Sequence, residues 1–218
     1  MTRRLVIFDV DGTLIDSQAY IRGAMSAAFE RIGHPCPARE DVLGIVGLSL
    51  PVAVARLAPD MPESAHVDLV EGYKDAFMAL RAQMHAPLYP GAADLLDQLD
   101  ADPQIVLGIA TGKSRRGMAH IMAAHGWNGR FATVQVADDN PAKPDPSMIL
   151  ACLRETGMAA DQVVMVGDTR FDMQMAQAAG VRGLGVSWGY HSAETLDAPV
   201  IADFAALPQA LVELWEVV

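Results

Sequence analysis

Two carboxylates one residue apart are the first feature of this chain able to do chemistry: Phe8-Asp9-Val10-Asp11-Gly12-Thr13-Leu14 ends a short β-branched run. In extended backbone such side chains point to the same face. Carboxylates that close repel unless a cation or a proton lies between them. One acid of the pair can then act as nucleophile and metal ligand, the other as proton shuttle. A strand-to-turn junction uses the same residue types, because Asp and Gly both suit turns. A second site of this kind is Val163-Val164-Met165-Val166-Gly167-Asp168-Thr169-Arg170-Phe171-Asp172, an apolar run that ends in Gly-Asp with another acid four residues on. Here Asp168 or Thr169 can cap a helix, and Asp172 suits its first turn. In open parallel sheets ligands bind outside the carboxyl ends of the strands. Asp9, Asp11, Asp168 and Asp172 are therefore expected to meet in one crevice, an oxygen-rich cluster of the kind that suits Mg²⁺.

Two further segments supply groups for an anion. Ile109-Ala110-Thr111-Gly112-Lys113-Ser114 places a hydroxyl and a glycine between a strand and a helix, where backbone N–H groups can face a phosphate. Thr111 can equally be a plain helix cap, and Lys113 reads as a solvated lysine. Lys143, in Ala142-Lys143-Pro144-Asp145-Pro146, sits in a loop stiffened by prolines. A crevice of carboxylates needs a cation beside any metal before it can receive a phosphate, and Lys143 is the candidate.

Positioning these residues calls for a parallel sheet. Strand-like runs recur at Leu5–Phe8, Gln104–Ala110, Thr133–Val136, Val163–Val166 and Gly183–Val186. Helical spacing of apolar residues falls at Ala92–Leu99, Arg115–His125, Ser147–Thr156 and Phe171–Ala179, with Gly126, Gly157 and Gly180 as stops. The expectation is a doubly wound α/β core made of residues 1–15 and 87–218. Residues 16–86 break the alternation with helix-like pattern alone, at Gln18–Ile32, Pro51–Leu57 and Ser64–Met84, and are expected to form an inserted helical cap.

Composition narrows the classes of function. The 218 residues carry 16 Lys plus Arg against 27 Asp plus Glu, a net charge of −11, and are 51% hydrophobic. This supports a packed core and disfavours nucleic acid or an anionic membrane surface as partners. The longest uncharged stretch, Val42–Ala55, is too short to span a bilayer as a helix. Arg3-Arg4 precedes only four apolar residues before Asp9, so no secretory apolar region forms and a cytoplasmic location is expected. Cys36 and Cys152 suggest neither a disulfide framework nor a thiolate metal site. The twelve methionines read as core filling.

Taken in order, Asp9-Val10-Asp11-Gly12-Thr13, Thr111-Gly112-Lys113, Lys143-Pro144-Asp145-Pro146 and Gly167-Asp168-Thr169-Arg170-Phe171-Asp172 resemble the four motifs of the haloacid dehalogenase superfamily. The helical insertion and Gly185-Val186-Ser187-Trp188-Gly189-Tyr190 resemble its phosphoglycolate phosphatase-like branch. The resemblance implies that Asp9 attacks phosphorus to form an aspartyl-phosphate, and that Asp11 protonates the leaving alkoxide and later deprotonates water. It implies Mg²⁺ held by the Asp9 and Asp168 side chains and the Asp11 carbonyl, with Asp172 acting through water. Thr111, the Gly112 N–H and Lys143 would hold phosphoryl oxygens. Asp11 argues against dehalogenation, since dehalogenases of the group lack it. Phosphonate hydrolases of the branch use a cap lysine, and the only one here, Lys74, reads as a solvated residue of an amphipathic helix.

The expected activity is thus Mg²⁺-dependent hydrolysis of a small phosphate monoester, with a small phosphorylated metabolite as partner. The alternatives are a sugar-phosphate mutase of the β-phosphoglucomutase kind, sharing all four motifs, and a receiver-type signalling domain that retains its phosphoryl group. Length and motif order count against the receiver. Selectivity is expected from the cap, with Arg22 and the segment Gly44-Ile45-Val46-Gly47 as candidates, and with His34 and His85 as further polar residues there.

Overall fold

The computed structural model describes residues 3–83 and 86–216. Six parallel strands form one sheet: β1 (Arg4–Phe8), β2 (Ile105–Ala110), β3 (Thr133–Gln135), β4 (Val163–Gly167), β5 (Arg182–Val186) and β6 (Val200–Ile201), in the spatial order β3-β2-β1-β4-β5-β6. Among the described residues this part of the chain also holds the α-helices α5 (Ala92–Asp100), α6 (Arg115–Ala124), α7 (Ser147–Thr156), α8 (Arg170–Ala178) and α9 (Leu207–Glu216), with three single 3-10 turns between them.

The central strands β1, β2 and β4 are apolar on both faces because both faces are covered. Val6 and Phe8 of β1, Leu107 and Ile109 of β2 and Val164 and Val166 of β4 share one core with Leu96 of α5, Met118 of α6 and Leu211 of α9. The alternate residues, among them Leu5, Ile7, Val163 and Met165, pack on Met148 and Ile149 of α7 and Met175 of α8. Helices on the two faces of a parallel sheet make the α/β architecture expected from the sequence. Gly157 closes α7 in the left-handed region, with φ 70°, where a side chain would be strained.

Four helices, α1 (Gln18–Arg31), α2 (Arg39–Leu43), α3 (Leu50–Leu57) and α4 (Glu63–Gln83), occupy the segment between β1 and α5. They bury their own cluster, in which Ile21, Met25 and Phe29 of α1 meet Val42 and Leu43 of α2, Val54 of α3 and Leu69 of α4. The two joints to the sheet lie side by side: Asp16 N–H donates to the Pro87 carbonyl at 2.9 Å, Tyr89 N–H donates to that of Leu14 at 3.0 Å, and Ile15 bridges Leu88. Among the described residues no helix is long and apolar enough to cross a membrane.

Among the strands and α-helices of the described residues, three lie outside the sequence expectation. Strand β6 has two residues and α2 has five, too few for a periodicity to register. Helix α9 follows the loop after β6 and packs Leu207 and Leu211 on the core.

Candidate active site

β1 sits between β2 and β4, and the registers Phe8↔Ile109 and Phe8↔Val166 align their carboxyl ends. The residues leaving those ends are Asp9, Thr111 and Asp168, so parallel pairing alone brings three of the four motifs together. The Asp9 N–H continues the ladder to the Val166 carbonyl at 2.9 Å. Beyond it the chain turns at Gly12, with φ 82°, a conformation that favours glycine. A Cβ there would also collide with the Asp168 carboxylate, as would one at Gly189 from the loop after β5. The two glycines let backbone close around that acid from both sides.

Asp9, Asp168 and Asp172 are buried, and one oxygen from each lies within 4.8 Å of the others. Lys143 is equally buried and stands between two of them, with Nζ 2.6 Å from Asp172 Oδ1 and 3.0 Å from Asp9 Oδ1. Asp168 accepts from the Thr13 hydroxyl at 3.0 Å and from the Tyr190 N–H at 2.9 Å. The second oxygen of Asp172 accepts from the N–H and hydroxyl of Thr169, which in turn caps α8. Asp172 is thus both the first-turn acid of a helix and a partner of the buried lysine.

Asp9 is different. Its Oδ2 has no hydrogen-bond partner among the described residues, and its Oδ1 meets only the Lys143 ammonium, as an ion pair. Burial lifts its carboxyl to about 7, against the pull of Lys143 and with added repulsion from Asp172 and Asp11. Burial also holds Asp168 well above the usual carboxylate range, with Asp172 and Asp9 adding to the rise. Burial alone would lower the Lys143 ammonium, but Asp172 and Asp9 raise it overall. Three buried carboxylates face one buried ammonium, an imbalance that a divalent cation at Asp9, Asp168 and Asp172 would remove. All-oxygen donors suit a hard cation.

Asp11 lies beside this triad in a separate network. Lys113 Nζ reaches both its oxygens at 2.7 Å, and Ser17 Oγ donates to Oδ1. Ser17 also lies 3.0 Å from the Tyr190 hydroxyl. Lys113 is therefore not a solvated lysine: its side chain is only 10% exposed and lies 5.3 Å from the centre of the Phe77 ring of α4. Lys113, Ser17, Thr13 and Tyr190 are the residues to which sequence reasoning gave no part in the site. Thr169 was expected only as a possible helix cap, which it is, and its hydroxyl on Asp172 adds it to the site. For Lys113 and Tyr190 no signal existed, because their partners are distant in the chain.

Thr111 is buried, and its hydroxyl accepts the Lys113 N–H at 3.3 Å. The cap of α6 is Ser114, whose hydroxyl accepts from the Gly117 N–H at 3.2 Å. The segment 44–48 reaches this region from the helical insertion. A Cβ on Gly112 would stand 2.6 Å from the carbonyls of both Gly47 and Leu48, and one on Gly47 would stand 3.1 Å from Thr169 Oγ1. Ile45 and Leu48 pack with Phe171, and the Gly44 carbonyl lies 3.2 Å from His191 Nε2. Arg22 is exposed on α1, near enough to Cys36 to oppose the rise that burial gives its thiol. His34 and Lys74 are exposed, and His85 lies outside the described residues.

The haloacid dehalogenase-like hydrolase family model matches residues 6–186. The chain is 33% identical over 213 residues to a phosphoglycolate phosphatase of Pseudomonas savastanoi pv. phaseolicola, covering 94% of this chain and 78% of the relative. It is 32% identical to the probable phosphatase IndB of Dickeya dadantii, covering 96% of this chain and 89% of that one. Among solved structures, a hydrolase from Pseudomonas syringae superposes with a TM-score of 0.85 at 25% identity, covering 97% of this chain and 99% of the other.

Proposed function

The chain belongs to the haloacid dehalogenase-like hydrolases and is a hydrolase of the phosphatase kind, and on that premise we propose that it is a Mg²⁺-dependent phosphatase of a small phosphate monoester acting through an aspartyl-phosphate at Asp9. The observation that carries this reading is the buried Asp9 carboxylate, whose Oδ1 faces the Lys143 ammonium at 3.0 Å and whose Oδ2 has no hydrogen-bond partner among the described residues. A buried carboxylate oxygen without a donor, as Oδ2 is, is costly. A nucleophile facing a metal and a phosphoryl group has reason to be left that way.

In the proposed reaction an Asp9 oxygen attacks phosphorus, the bond from phosphorus to the ester oxygen breaks, and Asp11 gives that oxygen a proton. In the second half Asp11 takes a proton from water, whose oxygen attacks the same phosphorus and returns Asp9 as a free carboxylate. Thr111, the Gly112 N–H and Lys143 hold the phosphoryl oxygens. The ion would be held by the Asp9 and Asp168 side chains and the Asp11 carbonyl, and it supplies positive charge to the phosphoryl group. That both Asp172 oxygens are engaged by Lys143 and Thr169 supports its acting through water.

The substrate class follows from the relatives, several of which are named phosphoglycolate phosphatases, so 2-phosphoglycolate is the first compound to test. Residues 16–86 act as a cap on the core of 1–15 and 87–218, with selectivity set by segment 44–47 and Arg22, and closure excludes bulk water. The working location is the cytoplasm. The test is phosphate release from 2-phosphoglycolate, hexose phosphates and nucleoside monophosphates, with Mg²⁺ and with chelator. Chelator-sensitive release is expected. Isomerised sugar phosphate without release would point to a mutase, and a phosphorylated protein that does not turn over would point to a receiver.

A further inference from the structure

The loop after β5, Ser187-Trp188-Gly189-Tyr190, has no part in the reaction proposed above, yet it closes over Asp168. The Tyr190 N–H donates to Asp168 Oδ2 at 2.9 Å, and a Cβ on Gly189 would stand 2.1 Å from that of Asp168. On the other side of the acid the Thr13 hydroxyl donates to Oδ1 at 3.0 Å. Trp188 joins the two sides, because its indole N–H donates to the Thr13 carbonyl at 3.0 Å. The turn it reaches is tight: the Leu14 and Ile15 N–H groups both donate to the Val10 carbonyl, and the Gly12 N–H donates to that of Ile15.

The indole is itself held from two directions. The ring of Phe204, from the segment after β6, lies 4.5 Å away between centres, and that of Tyr89, at the second joint to the helical insertion, lies 6.2 Å away, both tilted. Tyr89 is fixed in turn by its N–H on the Leu14 carbonyl. An apolar ring would serve that packing equally well; the indole N–H adds a donor of fixed direction, aimed at the turn that carries Thr13. We propose that Trp188 is a positioning residue of the divalent-cation site. It pins the turn that brings the Thr13 hydroxyl to one Asp168 oxygen, while the chain two residues beyond it brings the Tyr190 N–H to the other. With one donor on each oxygen the carboxylate has a single orientation, and the remaining lone pairs are left for the ion. Groups that orient a ligand govern metal affinity without touching the metal. The inference rests on the ion proposed above at Asp9 and Asp168, and adds to it a residue that sets its affinity from outside the site.

The test is calorimetric titration of the full chain with Mg²⁺, set beside thermal unfolding in chelator. Trp188→Phe keeps a ring against Phe204 and Tyr89 and removes the N–H, and Mg²⁺ affinity about fivefold weaker is expected, the loss of one hydrogen bond of ordinary strength. Thr13→Val, which removes the hydroxyl on Asp168, is expected to cost about tenfold or more. Because Trp188 acts through the turn of Thr13, the double variant should lose less than the product of the two single losses. A part in packing alone would lower the unfolding midpoint and leave the affinity as it is. With Trp127 and Trp215 both replaced by Phe, Trp188 is the remaining tryptophan of three, and its emission should shift when Mg²⁺ is added. Unchanged affinity in Trp188→Phe, single losses that multiply fully, or constant emission would overturn the inference and leave the metal site standing. No binding of Mg²⁺ by the unaltered chain would overturn the metal reading with it.

Discussion

Lys143→Met is the most informative single perturbation of the buried site. Methionine matches the length of the lysine stem, so the change removes charge more than volume. The ammonium lies 2.6 Å from Asp172 and 3.0 Å from Asp9, with no exposure of its side chain. Removing one partner of such a buried pair costs about 3–5 kcal/mol, because the remaining charge is left uncompensated. At roughly 2–4 °C per kcal/mol for a domain of this size, the midpoint of thermal unfolding in chelator at pH 8 should fall by about 6–20 °C. The pH dependence has a definite sign. Burial places the Asp9 carboxyl at about 7 against an ordinary 3.8. A carboxyl raised in the folded state contributes its full stability below the unfolded value and loses it as pH rises through the folded one. Without Lys143 the rise is larger, so the deficit of the variant should be greatest at pH 8 and shrink toward pH 5, where the stranded acids take up protons. Calorimetry or urea unfolding of both proteins at the two pH values measures this. Equal stability at pH 8, or a deficit that grows on acidification, would refute the reasoning.

Other perturbations probe the contacts between the helical insertion and the core. Gly112→Ala should force the Gly47 and Leu48 carbonyls away, since its Cβ would lie 2.6 Å from each; faster proteolysis within 44–48 and a fall in turnover of about tenfold or more are expected, and normal turnover would count against a closed contact at this point. His191 accepts the Arg170 N–H at 3.2 Å through Nδ1, leaving Nε2–H to donate to the Gly44 carbonyl. Burial lowers its pKa, with Arg170 and Arg56 adding and the Gly44 carbonyl and Asp172 opposing; the stability it contributes is present above about pH 6.5 and is lost as pH falls through the folded value. The stability advantage of the natural chain over His191→Gln should therefore shrink between pH 7.5 and 5, and a constant difference would remove His191 from that role. Gly12→Ala should lower both stability and metal affinity, since its Cβ would strike the Asp168 carboxylate, and isothermal titration with Mg²⁺ reads the second effect.

The sheet was legible because each β-branched run is a strand buried on both faces, as Val6 and Ile7 show by facing opposite cores. Each acid pair alone had a structural explanation, turn chemistry at Asp9 and Asp11 and a helix start at Asp168 and Asp172, and the carboxylates were legible because acids recur at the ends of two such runs. What joins them was not. Lys113 follows Thr-Gly at the approach to a helix and looks like any solvated lysine until the pairing of β1 with β2 brings it 2.7 Å from Asp11. Tyr190 belongs to a loop after β5, and only the fold sets its N–H on Asp168 and its hydroxyl near Ser17. Asp172 had two competing local explanations, first-turn acid of a helix and active-site acid, and its two oxygens serve both.

The central claim is that Asp9 carries the phosphoryl group between substrate and water, and rapid acid quench tests it most directly. The chain would be mixed with Mg²⁺ and 2-phosphoglycolate labelled in its phosphate, quenched during turnover, and digested. Label on the peptide that holds Asp9, released by hydroxylamine as an acyl phosphate is, and absent from Asp9→Asn, is the result the account predicts. Phosphate release that persists in Asp9→Asn, or label found on another residue, would contradict it.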